Sequence, residues 1–206
     1  MLHRRLWNDN LDLVRASLAE PFVQGLGDGT LEGAAFRRYV AQDAFFLRAF
    51  LRAYALAAAK CERPETVARL CELMGGVLEE LDLHARYARE LDIELHEVEP
   101  LLATRAYTDF LLHTAWSADS GQILAAMTPC MRLYAWLGEQ FEPALRPDHP
   151  YADWIRTYAD PSFHELARRL ESLLDELAQD TAEVRAAYRH AMRCEQVFFA
   201  APLAPA

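Results

Sequence analysis

The feature that most constrains this chain is where its prolines fall: residues 22–63, 65–99 and 162–201 contain none, and all three stretches are rich in Ala, Leu, Glu and Arg. Helix interiors reject proline and favour those residues, so each stretch predicts helix over helix-compatible lengths. Period-two runs of β-branched residues between hairpin turns are almost absent, which leaves no basis for a sheet. The predicted fold class is all-α, a compact helical bundle of about eight helices forming a single domain over residues 1–206.

The punctuation gives the boundaries. A first helix fits residues 3–20 and stops at Pro21, the Gly25, Gly27, Gly29 cluster reads as a loop, and Thr30 caps a long helix to about Lys60. Pro64 suits the first position of a helix reaching about Leu91. Gly75-Gly76 inside it costs about 2 kcal/mol against alanine, which predicts a kink or a close helix contact. Further helices are expected over 104–116, from a Ser120 cap to Phe141 with a bend at Pro129, and over 161–178 and 181–199. Residues 143–150 read as a loop and 200–206 as a frayed tail.

Composition closes off several function classes. With 21 basic and 31 acidic residues the net charge is −10, which argues against nucleic acid, whose affinity rests on clustered Lys and Arg. The richest apolar stretch, Phe45 to Ala59, is broken by Arg48 and Arg52, so no membrane span is expected. The N-terminus turns polar at Asn8-Asp9-Asn10 before any signal-like apolar run, and the expected location is cytoplasmic. Four widely spaced cysteines without a CxxC suggest neither a disulfide framework nor a thiolate zinc site.

In a bundle the informative residues are polar groups on apolar stripes. The second long helix gives Phe36, Val40, Asp43, Leu47, Phe50, Tyr54, in which Asp43 intrudes. The proline-containing helix gives Ile123, Met127, Cys130, Tyr134, Leu137, Phe141, and the last gives Val184, Tyr188, Ala191, Glu195, Phe198. A buried carboxylate costs several kcal/mol unless it finds a partner. No Arg or Lys shares the line of Asp43 or Glu195, so the partner is expected to be a ligand: a flat, nitrogen-rich heterocycle among Tyr39, Phe46, Tyr107, Tyr134, Phe198 and Phe199. Taken singly, each intruder has an ordinary reading, a boundary acid whose head reaches water or a small core thiol. Their coincidence on three helices keeps the functional reading open beside the ordinary one.

Five segments in order carry a family resemblance: Tyr39-Val40-Ala41-Gln42-Asp43-Ala44-Phe45-Phe46-Leu47; Ala106-Tyr107-Thr108; Thr128 to Gly138 (TPCMRLYAWLG); Trp154 to Ala159 (WIRTYA); and Glu195-Gln196-Val197-Phe198-Phe199. Glu80 and His84 lie between the first two. The sequence resembles the thiaminase II (TenA) family, which shares the haem-oxygenase-like helical fold, and the resemblance covers nearly the whole chain. It implies hydrolysis of 4-amino-5-aminomethyl-2-methylpyrimidine to the hydroxymethyl pyrimidine for thiamin salvage, with slower cleavage of thiamin itself. Cys130 would be the nucleophile adding to the ring, Glu195 the acid/base at a ring nitrogen, and Asp43 the group that binds the 4-amino nitrogen and assists the thiol. Tyr107, Tyr134, Tyr158 and Phe46 would line the pocket, with Tyr134 near the thiol and Tyr158 near Glu195. The resemblance implies no metal, no organic cofactor, and a homo-oligomer, commonly a tetramer. Two positions depart from the family pattern: Phe46 stands where many members carry Tyr, and Phe199 where a Trp often follows the Phe.

Two rival functions remain. A di-iron oxidase on the same architecture would use Glu80 with His84, and Asp160 with His164, but the chain lacks a Glu-x-x-His pair and the other histidines do not recur on core stripes. His84 is instead expected to be a packed histidine bonded to Glu80 or a nearby carbonyl. The other rival is a non-catalytic pyrimidine-binding or regulatory module. A haem site would further require an axial histidine facing the core.

Overall fold

A computed structural model of the protein describes residues 1–204. Ten α-helices and two short 3-10 segments follow one another: α1 Leu2–Asp9, α2 Leu11–Ala19, α3 Pro21–Asp28, α4 Gly33–Ala59, α5 Pro64–Glu90, α6 Leu102–Ser117, α7 Ser120–Phe141, α8 Ala152–Ala159, α9 Pro161–Leu177 and α10 Ala182–Ala200. No strand occurs among the described residues.

Helix α7 occupies the centre. Its sequence is apolar nearly all round, and most of its residues are buried, as expected of a helix packed on every side. It packs on α8, α9 and α10 and meets α4 and α6. The α4/α5 pair, joined by a short connection and therefore antiparallel, packs along its whole length beside α6. Pro129 sits within α7, where its missing N–H leaves the Ala125 carbonyl without its helical partner, while the Thr128 hydroxyl donates to the Leu124 carbonyl at 2.7 Å.

The structure corrects several expected boundaries. The first predicted helix is two, α1 and α2, broken at Asn10, whose buried amide donates back to the Leu6 carbonyl at 2.7 Å. The glycine cluster is not a loop: Gly25 and Gly27 lie inside α3, and only Gly29, at φ 84°, forms its left-handed end. Glycine is needed at 27 for another reason, since a Cβ there would stand 2.3 Å from the Phe141 ring. Thr30 does not cap α4, because both its amide and hydroxyl donate to Asp28, and α4 begins after Glu32. Asp119, one residue before Ser120, caps α7 through the Gln122 amide. Helix α8 was not anticipated as an element. The expected close contact at Gly75-Gly76 is made by Gly76 alone, where a Cβ would lie 2.6 Å from Leu166 of α9. The tail is ordered through Leu203 in a 3-10 turn, with Pro202 buried and its carbonyl accepting from Arg38 at 2.7 Å; residues 205–206 of the expected frayed tail lie outside the described residues.

Candidate active site

The three intruding side chains are all buried as the stripes predict: Asp43 is 3 %, Cys130 9 % and Glu195 1 % exposed. They enter one region from α4, α7 and α10, with the aromatic residues of the same stripes between them. Phe46 packs on Tyr107 at 4.7 Å between ring centres and on Phe198 at 6.0 Å. Tyr134 packs on Tyr158 at 4.8 Å and on Phe199 at 5.3 Å.

Each carboxylate has a protein partner beside any ligand: Tyr107 for Glu195, and Tyr39 and His84 for Asp43. Glu195 Oε1 accepts a 2.6 Å hydrogen bond from Tyr107 Oη. Its other oxygen, Oε2, is buried with no partner. Burial, the Tyr107 bond notwithstanding, pushes the Glu195 carboxyl up to about 8 with help from the Asp43 charge, so it is a proton-carrying acid at neutral pH. Cys130 abuts Glu195; burial first, then the charges of Glu195, Glu80 and Asp43, raise its pKa, so the resting sulfur is a thiol.

Asp43 is held differently. Tyr39 Oη, one helical turn earlier, donates to Asp43 Oδ2 at 3.0 Å, accepts from Trp154 Nε1 at 3.1 Å, and lies 3.3 Å from Tyr134 Oη. His84 of α5 places Nε2 2.8 Å from Asp43 Oδ2. Nε2 makes no directed hydrogen bond along that line, so the contact is one of proximity. His84 Nδ1 lies 3.0 Å from the Glu80 carbonyl, the bond to Glu80 expected from the sequence. The Glu80 carboxyl accepts from Tyr158 Oη at 2.6 Å and is pushed up to about 7 by burial and by Asp43.

One expected placement changes. Tyr158 stands against Glu80 rather than Glu195, and Tyr107 takes the position beside Glu195. The reason is tertiary: α8 packs on α7 and α9 and turns Tyr158 toward α5, whereas α6 packs on both α4 and α10. Sequence reasoning missed that His84 is the side chain of α5 that faces Asp43. The signal lay in the unread stripe of α5, where Leu70, Leu73, Val77 and His84 are buried along one face.

A cleft of about 230 Å³ lined by Val77, Glu80, Met131, Phe163 and Leu166 reaches the outer side of Glu80, next to the neighbour of Cys130. A larger cleft of about 590 Å³ between α1, α7 and α9 shares none of these side chains. Among the described residues, no three His, Cys, Asp or Glu side chains are grouped to hold a metal ion. Asp160, one of the paired residues considered for iron, caps α9 through Ser162, and His164 lies 3.3 Å from Glu139. No helix among the described residues is long and apolar enough to cross a membrane.

An all-helical protein that gathers a thiol and two carboxyl groups among aromatic rings agrees with the haem-oxygenase-like fold that the resemblance implies. The fold is shared with a solved structure from Shewanella denitrificans described as having a heme oxygenase-like fold (14 % identity, TM-score 0.73, 97 % of this chain and 89 % of that one). The chain belongs to the TENA/THI-4/PQQC family, whose model matches residues 9–203. It is 37 % identical over 171 residues to an aminopyrimidine aminohydrolase of Halalkalibacterium halodurans, covering 80 % of this chain and 76 % of that protein. It is 35 % identical over 216 residues to a bifunctional TH2 protein, mitochondrial, of Arabidopsis thaliana, covering 91 % of this chain but only 35 % of that longer protein. A solved TenA family transcription regulator from a Silicibacter species superposes with a TM-score of 0.91 at 27 % identity, over 98 % of this chain and 96 % of that one.

Proposed function

We propose that the protein is an aminopyrimidine aminohydrolase of the thiaminase II type, a hydrolase acting on the C–N bond between a pyrimidine's methylene carbon and its amine. The observation that carries this is the convergence of Cys130, Asp43 and Glu195 from three helices, with Glu195 Oε2 buried and unpartnered. Such an oxygen costs of order 1–3 kcal/mol unless a ligand meets it. A pyrimidine ring nitrogen, which can accept the proton that Glu195 carries, is a group of the right kind.

The steps follow from the protonation states. The Cys130 thiol gives its proton to Asp43 as the sulfur bonds to a ring carbon, and Glu195 gives its proton to a ring nitrogen, so the displaced π electrons end as a neutral N–H. Without that proton the addition would leave an anion in a buried site. The dearomatised ring expels the amine, which leaves with the proton held by Asp43. Water adds to the exposed methylene carbon, its proton passing to Asp43. Expulsion of the Cys130 sulfur, which takes back from Asp43 the proton that the water gave up, with return of the ring proton to Glu195, restores the aromatic pyrimidine and the starting enzyme.

Tyr107 holds Glu195, Tyr134 and Phe46 form the walls, and Tyr158 orients Glu80 at the rim. The same reading takes the chain as one TenA-like domain and a homotetramer without metal or organic cofactor, supported by the family resemblance, working in the cytoplasm. Incubating purified protein with the aminomethyl pyrimidine and with thiamin tests it. Ammonia release from the first, and thiazole release from the second, are expected; formation of neither product would overturn the reading in favour of a pyrimidine-binding module.

A further inference from the structure

The contact between His84 and Asp43 fixes a proton. His84 Nδ1 lies 3.0 Å from the Glu80 main-chain carbonyl, a group that only accepts, so Nδ1 carries a hydrogen. In a neutral ring an unprotonated, electron-rich Nε2 would then stand 2.8 Å from a carboxylate oxygen. Two electron-rich atoms at that distance repel, so a proton belongs to the pair. The Tyr39 hydroxyl already donates to the same Asp43 oxygen, so that oxygen acts as an acceptor and the proton of the pair lies on the ring. Among the described residues no Arg or Lys forms an ion pair with Asp43.

The surroundings support the same assignment. From α4 His84 faces Asp43 and, beyond it, Tyr39; from its own helix it faces Glu80 and Tyr87, the latter ring at 6.2 Å. Glu195 of α10 and Cys130 of α7, both within reach of the Asp43 charge, add no positive charge. Burial pulls the His84 pKa down, but the charge of the nearby Asp43, the charge of Glu80 and the bond to the Glu80 carbonyl reverse this and carry it up to about 9.

We propose that His84 is a positioning residue of the reaction, the imidazolium that holds Asp43 as a carboxylate facing the thiol and the substrate amine, with its ring tautomer set by the Glu80 carbonyl. This rests on the hydrolase reading for its role in turnover, though the charge pair itself does not. An isolated buried carboxylate is strongly disfavoured, and without the cation Asp43 would enter the reaction already carrying a proton. It would then be unable to take one from Cys130. Removing the cation therefore acts on the chemical step more than on binding.

Two measurements test the proposal. The first is the nitrogen NMR spectrum of the full-length protein labelled with ¹⁵N-histidine, followed from pH 6 to 10. His84 is expected to show both nitrogens protonated at pH 7.5 and to lose a proton only near pH 9, and in Asp43→Asn to become neutral at pH 7.5. A neutral His84 ring in the unaltered protein at pH 7.5 overturns the proposal. The second is turnover by His84→Gln, which keeps a neutral donor near the position of Nε2. A fall in kcat of roughly tenfold or more, with KM changed less than about threefold, is expected. Unchanged kcat and KM would overturn the positioning role. If the unaltered protein turns over neither pyrimidine nor thiamin, the hydrolase reading fails while the spectrum still decides the charge pair; if the glutamine variant does not fold, the spectrum decides alone.

Discussion

Tyr107 Oη donates to Glu195 Oε1 at 2.6 Å and leaves Glu195 Oε2 buried and unpartnered, so one carboxyl is anchored by one oxygen and open at the other. That asymmetry suits an acid that must stay in place while its second oxygen serves a ligand.

Cys130→Ser is expected to lower kcat/KM for the aminomethyl pyrimidine by roughly 10³-fold or more, because a hydroxyl is a far weaker nucleophile than a thiol. Binding of the hydroxymethyl product, followed by calorimetry, should survive within a few fold. A variant with turnover near that of the unaltered protein would rule out Cys130 as nucleophile.

Activity should fall as pH rises through about 8, where Glu195 loses the proton it supplies to the ring. The Tyr107 bond favours the charged carboxylate and so lowers the Glu195 pKa; Tyr107→Phe is therefore expected to move this alkaline limb to higher pH. The variant should also lose about 1 kcal/mol of stability. A pH–rate profile with an unmoved alkaline limb would contradict the assignment.

Glu80, Glu195 and His84 all have folded pKa values raised above their usual ones, to about 7, 8 and 9. Each holds its proton more tightly when folded, so its contribution is complete below the ordinary value of 4.5 for the carboxyls and 6.5 for the imidazole, and is lost as pH rises through the folded value. Stability should decline steadily from mildly acidic pH toward pH 9. Glu195→Gln removes one of these contributions and should flatten the decline between about pH 5 and 8. For a chain of this length each kcal/mol corresponds to about 2–4 °C in Tm, so thermal unfolding across pH resolves the difference.

Gly138→Ala should cost roughly 2–4 kcal/mol. Its Cβ would stand 2.5 Å from the Ala159 nitrogen and the Tyr158 carbonyl carbon, backbone atoms that cannot move without displacing α8 and with it the Tyr158 side chain. By contrast Gly75→Ala, whose Cβ meets nothing within 4 Å, should be neutral or stabilising by up to about 1 kcal/mol. Chemical denaturation of the two variants distinguishes these outcomes; equal effects would mean that α7 and α8 are not in the contact described.

Sequence by itself determined the all-helical class and the ends of α5 and α9, because proline at the first turn and its absence thereafter act locally, through the backbone of the helix itself. It also placed Asp43, Cys130 and Glu195 inside, because a side chain three or four residues from apolar neighbours shares their face whatever packs against it. Phe198, Tyr134 and Phe46 were legible for the same reason. The start of α4 and the helical path of Gly25 and Gly27 were not, since they are decided by what lies opposite: the Phe141 ring requires glycine at 27 although the backbone there is ordinary helix. The identity of each carboxyl's partner also belonged to the tertiary structure. Periodicity fixes the face a residue occupies, but not which helix comes to lie across from it. Only the packing of α5 on α4 brought His84 to Asp43, and only the packing of α8 on α7 turned Tyr158 to Glu80 rather than Glu195.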